Sequence, residues 1–372
     1  MRSVLTRATA AATAAIDRGV ARFMQSQMAP RGTPDDMRDL RVELIDQARV
    51  YNDGTLGTPS RFFPTPAMPD VKLTPIGEGP FGTHVVDLAY STDYQPFHPA
   101  ARDFYLSHRE NQIAHVRWWT SRARAGAEKS RPTIIFIHGL AGGNHWVSAR
   151  TFVADYWLKH GFDVCSFQLP YHGARVSAEH GKVRSSALFL SPNPLRMNEA
   201  FGHAIHDLRA LAMFLRAHGS EHVGVMGMSL GGYTAALWAS TAGVGDVGGV
   251  DFAVAMIPAV SFGHLMWSAN DDSPQRRRAV KDGVTQDLLI DAFAVHSPLT
   301  REPRIPRDHR FVIAGRGDRI TGPAQAEMLA NHWDRDVMWF DGGHLAQIGR
   351  GDALRAVRRS LDAMGMANKK RA

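Results

Sequence analysis

A single cysteine, Cys165, stands in 372 residues, so no disulfide framework can form within the chain and nothing in its composition points to an oxidising compartment. It lies in the apolar run 162–169, where a small buried core residue is the plain reading. Long hydrophobic runs are missing as well. Nothing approaches the roughly 20 apolar residues that span a bilayer. The apolar part of the N-terminus, 8–16, is short, rich in Ala and Thr, and closed by Asp17, which argues against a transmembrane anchor and against a signal peptide. No His/Asp/Glu cluster has metal-ligand spacing, so neither a metal nor a cofactor is expected. Basic residues outnumber acidic ones 43 to 36, a net charge of +7, but they are scattered along the chain, which argues against a nucleic-acid surface. The two local concentrations, Arg276-Arg277-Arg278 and Lys369-Lys370-Arg371, read as a solvated loop and a terminus.

What is present is organised in two parts. Residues 1–80 form an N-terminal extension. Its first thirty residues carry an apolar stripe at helical spacing (Leu5, Ala8, Ala12, Ile16, Val20, Phe23, Met24), expected to pack on the main domain, with peripheral contact at a membrane surface as the alternative. From 31 to 80 the Pro, Gly and Asp content, with Pro64, Pro66 and Pro69 close together, predicts an irregular wrapping segment. Residues 81–372 form the main domain. Alternation at Val85, Val86, Leu88 and Tyr90, and again over 113–119, predicts two entry strands.

After Pro132 short continuous apolar runs alternate with amphipathic stretches, the pattern of a mostly parallel sheet covered on both faces by helices. The runs are 133–137, 162–169, 222–228, 252–257, 311–314 and 337–340. A helix over 199–218 presents Ile205, Leu208, Leu211, Ala212 and Leu215 on one face before Gly219 ends it. In such a βαβ series the reactive groups gather at the carboxyl ends of the strands. Two insertions interrupt it: 258–306, expected to be a cap over that edge, with a long helical crossover as the alternative, and the smaller 171–194.

Gly227-Met228-Ser229-Leu230-Gly231 follows one apolar run and opens a helix-compatible stretch, the context required of a nucleophile elbow. Gly227 and Gly231 allow a backbone tight enough to lift the Ser229 hydroxyl clear of the sheet. A hydroxyl becomes a useful nucleophile only beside a base, and an imidazole base needs an anion to hold its tautomer. Among 18 histidines, His344 lies in Asp341-Gly342-Gly343-His344, just past the last run. Asp318 follows the run 311–314 on the same edge. Its rivals are Asp341, close in sequence to His344, and Asp251, which precedes its strand. His138-Gly139-Leu140-Ala141-Gly142-Gly143 ends the first run, and the backbone N–H groups of Leu140 and Leu230 are the expected oxyanion donors. His138 and Gly139 are expected to support the loop. A role for His138 as base or metal ligand is the competing reading.

These four segments, in the order Ser, Asp, His, resemble the α/β-hydrolase superfamily from about Val85 to the C-terminal helix, with the serine esterases and lipases as the nearest type. The stretch Pro170-Tyr171-His172-Gly173 resembles a Pro-x-His-Gly turn of many such enzymes, where it is mainly structural. The resemblance implies an α/β-hydrolase fold and a Ser229/Asp318/His344 triad. Ser229 excludes members with an aspartate nucleophile, whereas peroxidase-like and lyase-like members keep a serine. The expected activity is hydrolysis of a carboxylic ester, small or acyl-lipid, by a cytoplasmic protein through an acyl-enzyme. Thioester, amide or acyl-transfer chemistry on the same triad, and a non-catalytic binding protein on the same fold, remain the alternatives.

Overall fold

The computed structural model describes residues 2–28, 36–121, 131–176, 182–190, 194–269 and 274–367. Among the described residues nine strands form one sheet in the order β1-β2-β3-β5-β4-β6-β7-β8-β9. Three lead in with antiparallel pairing: β1 (Lys72–Glu78), β2 (His84–Ser91) and β3 (Ile113–Thr120), the last of which pairs antiparallel with β5. The remainder are mutually parallel: β4 (Thr133–Ile137), β5 (Asp163–Phe167), β6 (Val223–Met228), β7 (Phe252–Met256), β8 (Arg310–Gly315) and β9 (Val337–Phe340).

The continuous apolar runs have a physical reason. Strand side chains alternate between faces, and here both faces are covered. Ile135, Ile137, Val225, Ala255 and Val312 join one core with the helices Pro194–Ala217 and Leu230–Thr241. Ile134, Phe136, Met226, Val254 and Ile313 join a second core with Phe152, Trp157, Leu354 and Val357. Cys165 is fully buried in the first of these.

The extension departs from expectation. Residues 36–52, expected to be irregular, form a helix, and the sheet begins at Lys72, before the domain boundary drawn at 81. Taking Arg2–Met28 as α1 and Asp36–Asn52 as α2, α2 buries Leu44 against Val284 and Ala292. It also donates a hydrogen bond from Tyr51 Oη to Glu199 Oε1 at 2.5 Å. The same carboxylate accepts from Tyr94 Oη and from the backbone N–H groups of Phe97 and His98, tying α2 and the loop after β2 to one buried acid. The α1 stripe is also corrected. Ala8, Ala12 and Ile16 are exposed, while Thr13, Ala14 and Asp17 are buried. The side chains of Leu5, Val20, Phe23 and Met24, and the tail Lys369-Lys370-Arg371, lie outside the described residues.

Of the two insertions, 258–306 carries helices Phe262–Ala269, Pro274–Lys281 and Gln286–Ala292. Its apolar side turns inward: Phe262 packs on Phe201 and Tyr233, and Gln286–Ala292 packs on α2. The triplet Arg276-Arg277-Arg278 sits on a helix rather than a loop, with Arg276 stacked over Trp267. No helix among the described residues is long and apolar enough to cross a membrane.

Candidate active site

The central strands decide what meets what. β6 lies between β4 and β7, with Ile137 opposite Gly227, so the loop after β4 and the turn after β6 emerge side by side. The turn is sharp. Ser229 has φ 58° and ψ −115°, a conformation that costs a non-glycine residue of order 1–3 kcal/mol and persists only where its surroundings enforce it. Its N–H donates to Met256 O at 3.0 Å, and its carbonyl accepts from Ala259 N at 3.2 Å. A Cβ on Gly227 would collide with the carbonyl of Gly231, and one on Gly231 with that of Ile137. Both glycines are therefore required by close backbone approach. Leu230 opens the following helix, where the first N–H groups have no intrahelical acceptor.

Gly139 and Leu140 line the same cavity as Ser229, and a Cβ on Gly139 would stand 3.3 Å from that of Ser229. The loop is held from behind. His138 Nδ1 meets Gly139 O at 2.8 Å and Nε2 accepts from Leu169 N at 3.2 Å, which fixes the Nδ1–H tautomer. Burial pushes its pKa down to about 4. A neutral imidazole with both nitrogens occupied is placed to brace the loop. The Pro-Tyr-His-Gly turn braces the other side: Gln168 Nε2 donates to Gly143 O at 2.6 Å, and Gln168 Oε1 accepts from Ala174 N at 2.9 Å.

Asp318 and His344 follow β8 and β9. The ladder continues past both strands, with Arg316 N donating to Phe340 O and Gly317 N to Gly342 O. His344 Nδ1 lies 2.9 Å from Asp318 Oδ2. Asp318 Oδ1 accepts from the backbone N–H groups of Ile320, Thr321 and Gly322, and Oδ2 also accepts from Thr321 Oγ1 at 2.8 Å. Burial raises the carboxyl pKa, but the hydrogen bond and charge of His344, with the Ile320 N–H and the Thr321 hydroxyl, outweigh it and hold Asp318 below its ordinary value. The rivals are engaged elsewhere. Asp341 accepts from Thr6 Oγ1, and Asp251 pairs with Arg216 at the far end of the sheet.

Ser229 and His344 face one cavity of about 430 Å³, lined also by Met228, Ile320, Leu345, Gln347 and Arg350. Among the described residues none of 258–306 lines it. The smaller insertion contributes Val176 and Ser186 to a neighbouring cavity of about 760 Å³ that shares Gly139, Leu140, Thr151 and Met228. No hydrogen bond joins Ser229 to His344 among the described residues, a contact that often tightens only around substrate. Among the described residues no group of three or more His, Cys, Asp or Glu is placed to hold a metal ion.

Sequence reasoning missed three participants. Thr321 clamps Asp318. Arg350 brings a guanidinium to the cavity, with the neutral acceptors Thr151 O and Gln347 Oε1 as its partners, both at 2.5 Å. Asp17 reaches the same loops from α1. Only the last left a trace in the sequence, an acid interrupting an Ala/Thr-rich helix.

A family model for the alpha/beta hydrolase fold matches residues 132–297, which contain the loop after β4 and the turn at Ser229. Among solved structures, acetyl xylan esterase 1 from Thermoanaerobacterium sp. JW/SL YS485 superposes with a TM-score of 0.53 at 16% identity, covering 91% of this chain and 98% of that one. An acetyl xylan esterase from Paenibacillus sp. R4 gives 0.55 at 12% identity, covering 87% and 94%. The chain therefore has the α/β-hydrolase fold. Among curated proteins it is similar to an uncharacterized protein of Mycobacterium tuberculosis, strain ATCC 25618 / H37Rv, 28% identical over 245 residues. That match covers 63% of this chain and 55% of the relative, so the chain spans about half the length of the curated relatives it matches.

Proposed function

We propose that this protein is a serine hydrolase acting on carboxylic esters, with Ser229 as nucleophile, His344 as base and Asp318 as the acid that orients it. The observation that carries the reading is the buried Asp318–His344 pair opening on the same cavity as a serine held at positive φ. Ser229 Oγ attacks the ester carbonyl while His344 Nε2 takes its proton. The oxyanion is met by the N–H groups of Leu140 and Leu230, each such donor being worth about 3 kcal/mol of barrier. Collapse breaks the carbonyl–alkoxy bond, His344 returns the proton to the departing alcohol, and water releases the acid by the same steps in reverse order of partners.

A small-molecule ester fits a cavity of this size. The test is turnover of short p-nitrophenyl esters and labelling by a fluorophosphonate. Wild type should do both, with the label on Ser229, and Ser229→Ala neither. Full turnover by Ser229→Ala would end the reading. The same panel extended to thioesters and amides, with and without alcohol acceptors, assigns the bond cleaved.

A further inference from the structure

α1 docks by its polar face. Thr6, Ala10, Thr13, Ala14 and Asp17 recur at helical spacing, and of these Thr13, Ala14 and Asp17 are buried. Asp17 is fully buried, yet no cationic side chain neutralises it: no ion pair joins it among the described residues. Its partners are backbone amides. Oδ2 accepts from His344 N at 2.6 Å and from Arg319 N at 3.2 Å, and Oδ1 accepts from Leu345 N at 3.2 Å. One carboxylate thus holds two separate loops, those that carry Asp318 and His344, from a helix about three hundred residues away in sequence.

The approach is close on both sides. A Cβ on Gly343 would stand 2.7 Å from Asp17 Oδ2 and 3.1 Å from Thr13 Cβ, and one on Gly317 would stand 2.6 Å from Ala10 O. The glycines before Asp318 and His344 make room for α1. Thr6 adds a hydrogen bond to Asp341 at 3.0 Å, one strand-end away. A buried carboxylate is costly unless its acceptors are filled. Here they are filled by N–H groups that these loops, beyond the ends of their strands, do not spend on the sheet, so docking and loop order stabilise each other.

Resting on the serine-hydrolase reading above, we propose that Asp17 is a positioning residue: it fixes the His344 loop against the Asp318 loop, so that the N-terminal helix is a working part of the active site. It touches no reacting atom. Its effect is on how often the imidazole stands where it can take the Ser229 proton, and a misplacement of about 1 Å costs on the order of 100-fold in rate.

The test uses the full chain. Asp17→Ala and Asp17→Asn are compared with wild type for kcat and KM on p-nitrophenyl butyrate, for melting temperature, and for amide hydrogen exchange at Arg319, His344 and Leu345. The amide oxygen of Asn can replace Oδ2, but its NH2 opposes Leu345 N–H, so Asp17→Asn should lose part of what Asp17→Ala loses. The expectation is a kcat loss of about 10- to 100-fold for Asp17→Ala and a smaller one for Asp17→Asn. KM should stay within about twofold, with faster exchange at the three amides. Thr6→Val removes the hydrogen bond to Asp341 at the start of the His344 loop but keeps all three Asp17 contacts, so its loss in kcat should be clearly smaller than that of Asp17→Ala. If Asp17→Ala does not fold, Asp17→Asn decides. Unchanged kcat in a folded Asp17 variant overturns the proposal, and so does an equal loss in Thr6→Val. If wild type neither turns over esters nor labels, the serine-hydrolase reading fails on its own, and the exchange data alone still report whether Asp17 holds the loops.

Discussion

Asp318 Oδ2 and His344 Nδ1 stand 2.9 Å apart, and the other oxygen of the same carboxylate is fully committed to the backbone N–H groups of Ile320, Thr321 and Gly322. In Asp318→Asn the amide oxygen must face those three donors, which turns the NH2 toward His344. A donor there holds the imidazole as the Nε2–H tautomer, which cannot accept the Ser229 proton. The expected loss in kcat is about 10⁴-fold, with folding retained, read from single-turnover ester kinetics beside circular dichroism.

Acid should undo the same pair. The folded Asp318 carboxyl lies below its ordinary value, so its stabilising contribution is fully present above the unfolded value of about 3.9 and fades as pH falls through the lower folded one. The melting temperature of wild type should exceed that of Asp318→Asn from pH 5 to 7, and the gap should close as the pH drops below about 4. A gap that persists unchanged at pH 2.5 would contradict this assignment.

The turn at Ser229 tolerates no added carbon. Gly231→Ala places a methyl into the carbonyl of Ile137, and since that acceptor is backbone it cannot swing aside. Overpacking of this kind costs about 1–3 kcal/mol, and the forced shift moves the Leu230 N–H away from the developing oxyanion. Chemical denaturation should show the stability loss, with fluorophosphonate labelling slowed in the same variant.

Beneath the Pro-Tyr-His-Gly turn, Arg175 pairs with Asp207 at 2.8 Å, both fully buried. Burial raises the Asp207 pKa, but the charges of His203 and Arg175 outweigh it and keep the group well below its ordinary value. Arg175→Met removes the permanently charged partner of that buried anion and should destabilise by about 3–5 kcal/mol. Arg175→Met/Asp207→Leu should regain most of this, measured by urea unfolding.

Arg350 lines the cavity, and its acceptors among the described residues, Gln347 Oε1 and Thr151 O, are neutral. Burial lowers its pKa, yet a guanidinium stays charged near neutrality. Esters carrying a carboxylate, such as p-nitrophenyl hemisuccinate, should therefore show a higher kcat/KM than neutral esters of equal length. A charge-assisted hydrogen bond is worth about 1.5–3 kcal/mol, so Arg350→Gln should abolish a preference of about tenfold or more. Equal rates on charged and neutral esters in wild type would refute it.

The parallel strands were legible because burial on both faces writes them as unbroken apolar runs: 133–137 and 337–340 match β4 and β9 to the residue. Ser229, Asp318 and His344 could be singled out because each directly follows such a run. β1 could not be seen. Its residues are all exposed, and an edge strand with no buried face has no alternation to read. α2 was obscured by the prolines that follow it, although Leu40, Leu44 and Tyr51 sit at helical spacing. The α1 face was misjudged for a different reason. Periodicity scores apolar stripes, whereas α1 docks through the Asp17 carboxylate onto loop amides and through Thr6 Oγ1 onto Asp341, a complementarity that exists only once two distant loops have been placed.

β1 carries one more consequence. Its register breaks between Pro75 and Gly77, Pro75 offers no N–H, and Lys72 and Glu78 flank the outer rim. An open margin of a sheet ordinarily invites another chain to extend it. This one presents an interrupted row of donors and a local kink, so the lattice of strands stops growing there, and association by strand addition at that margin is disfavoured.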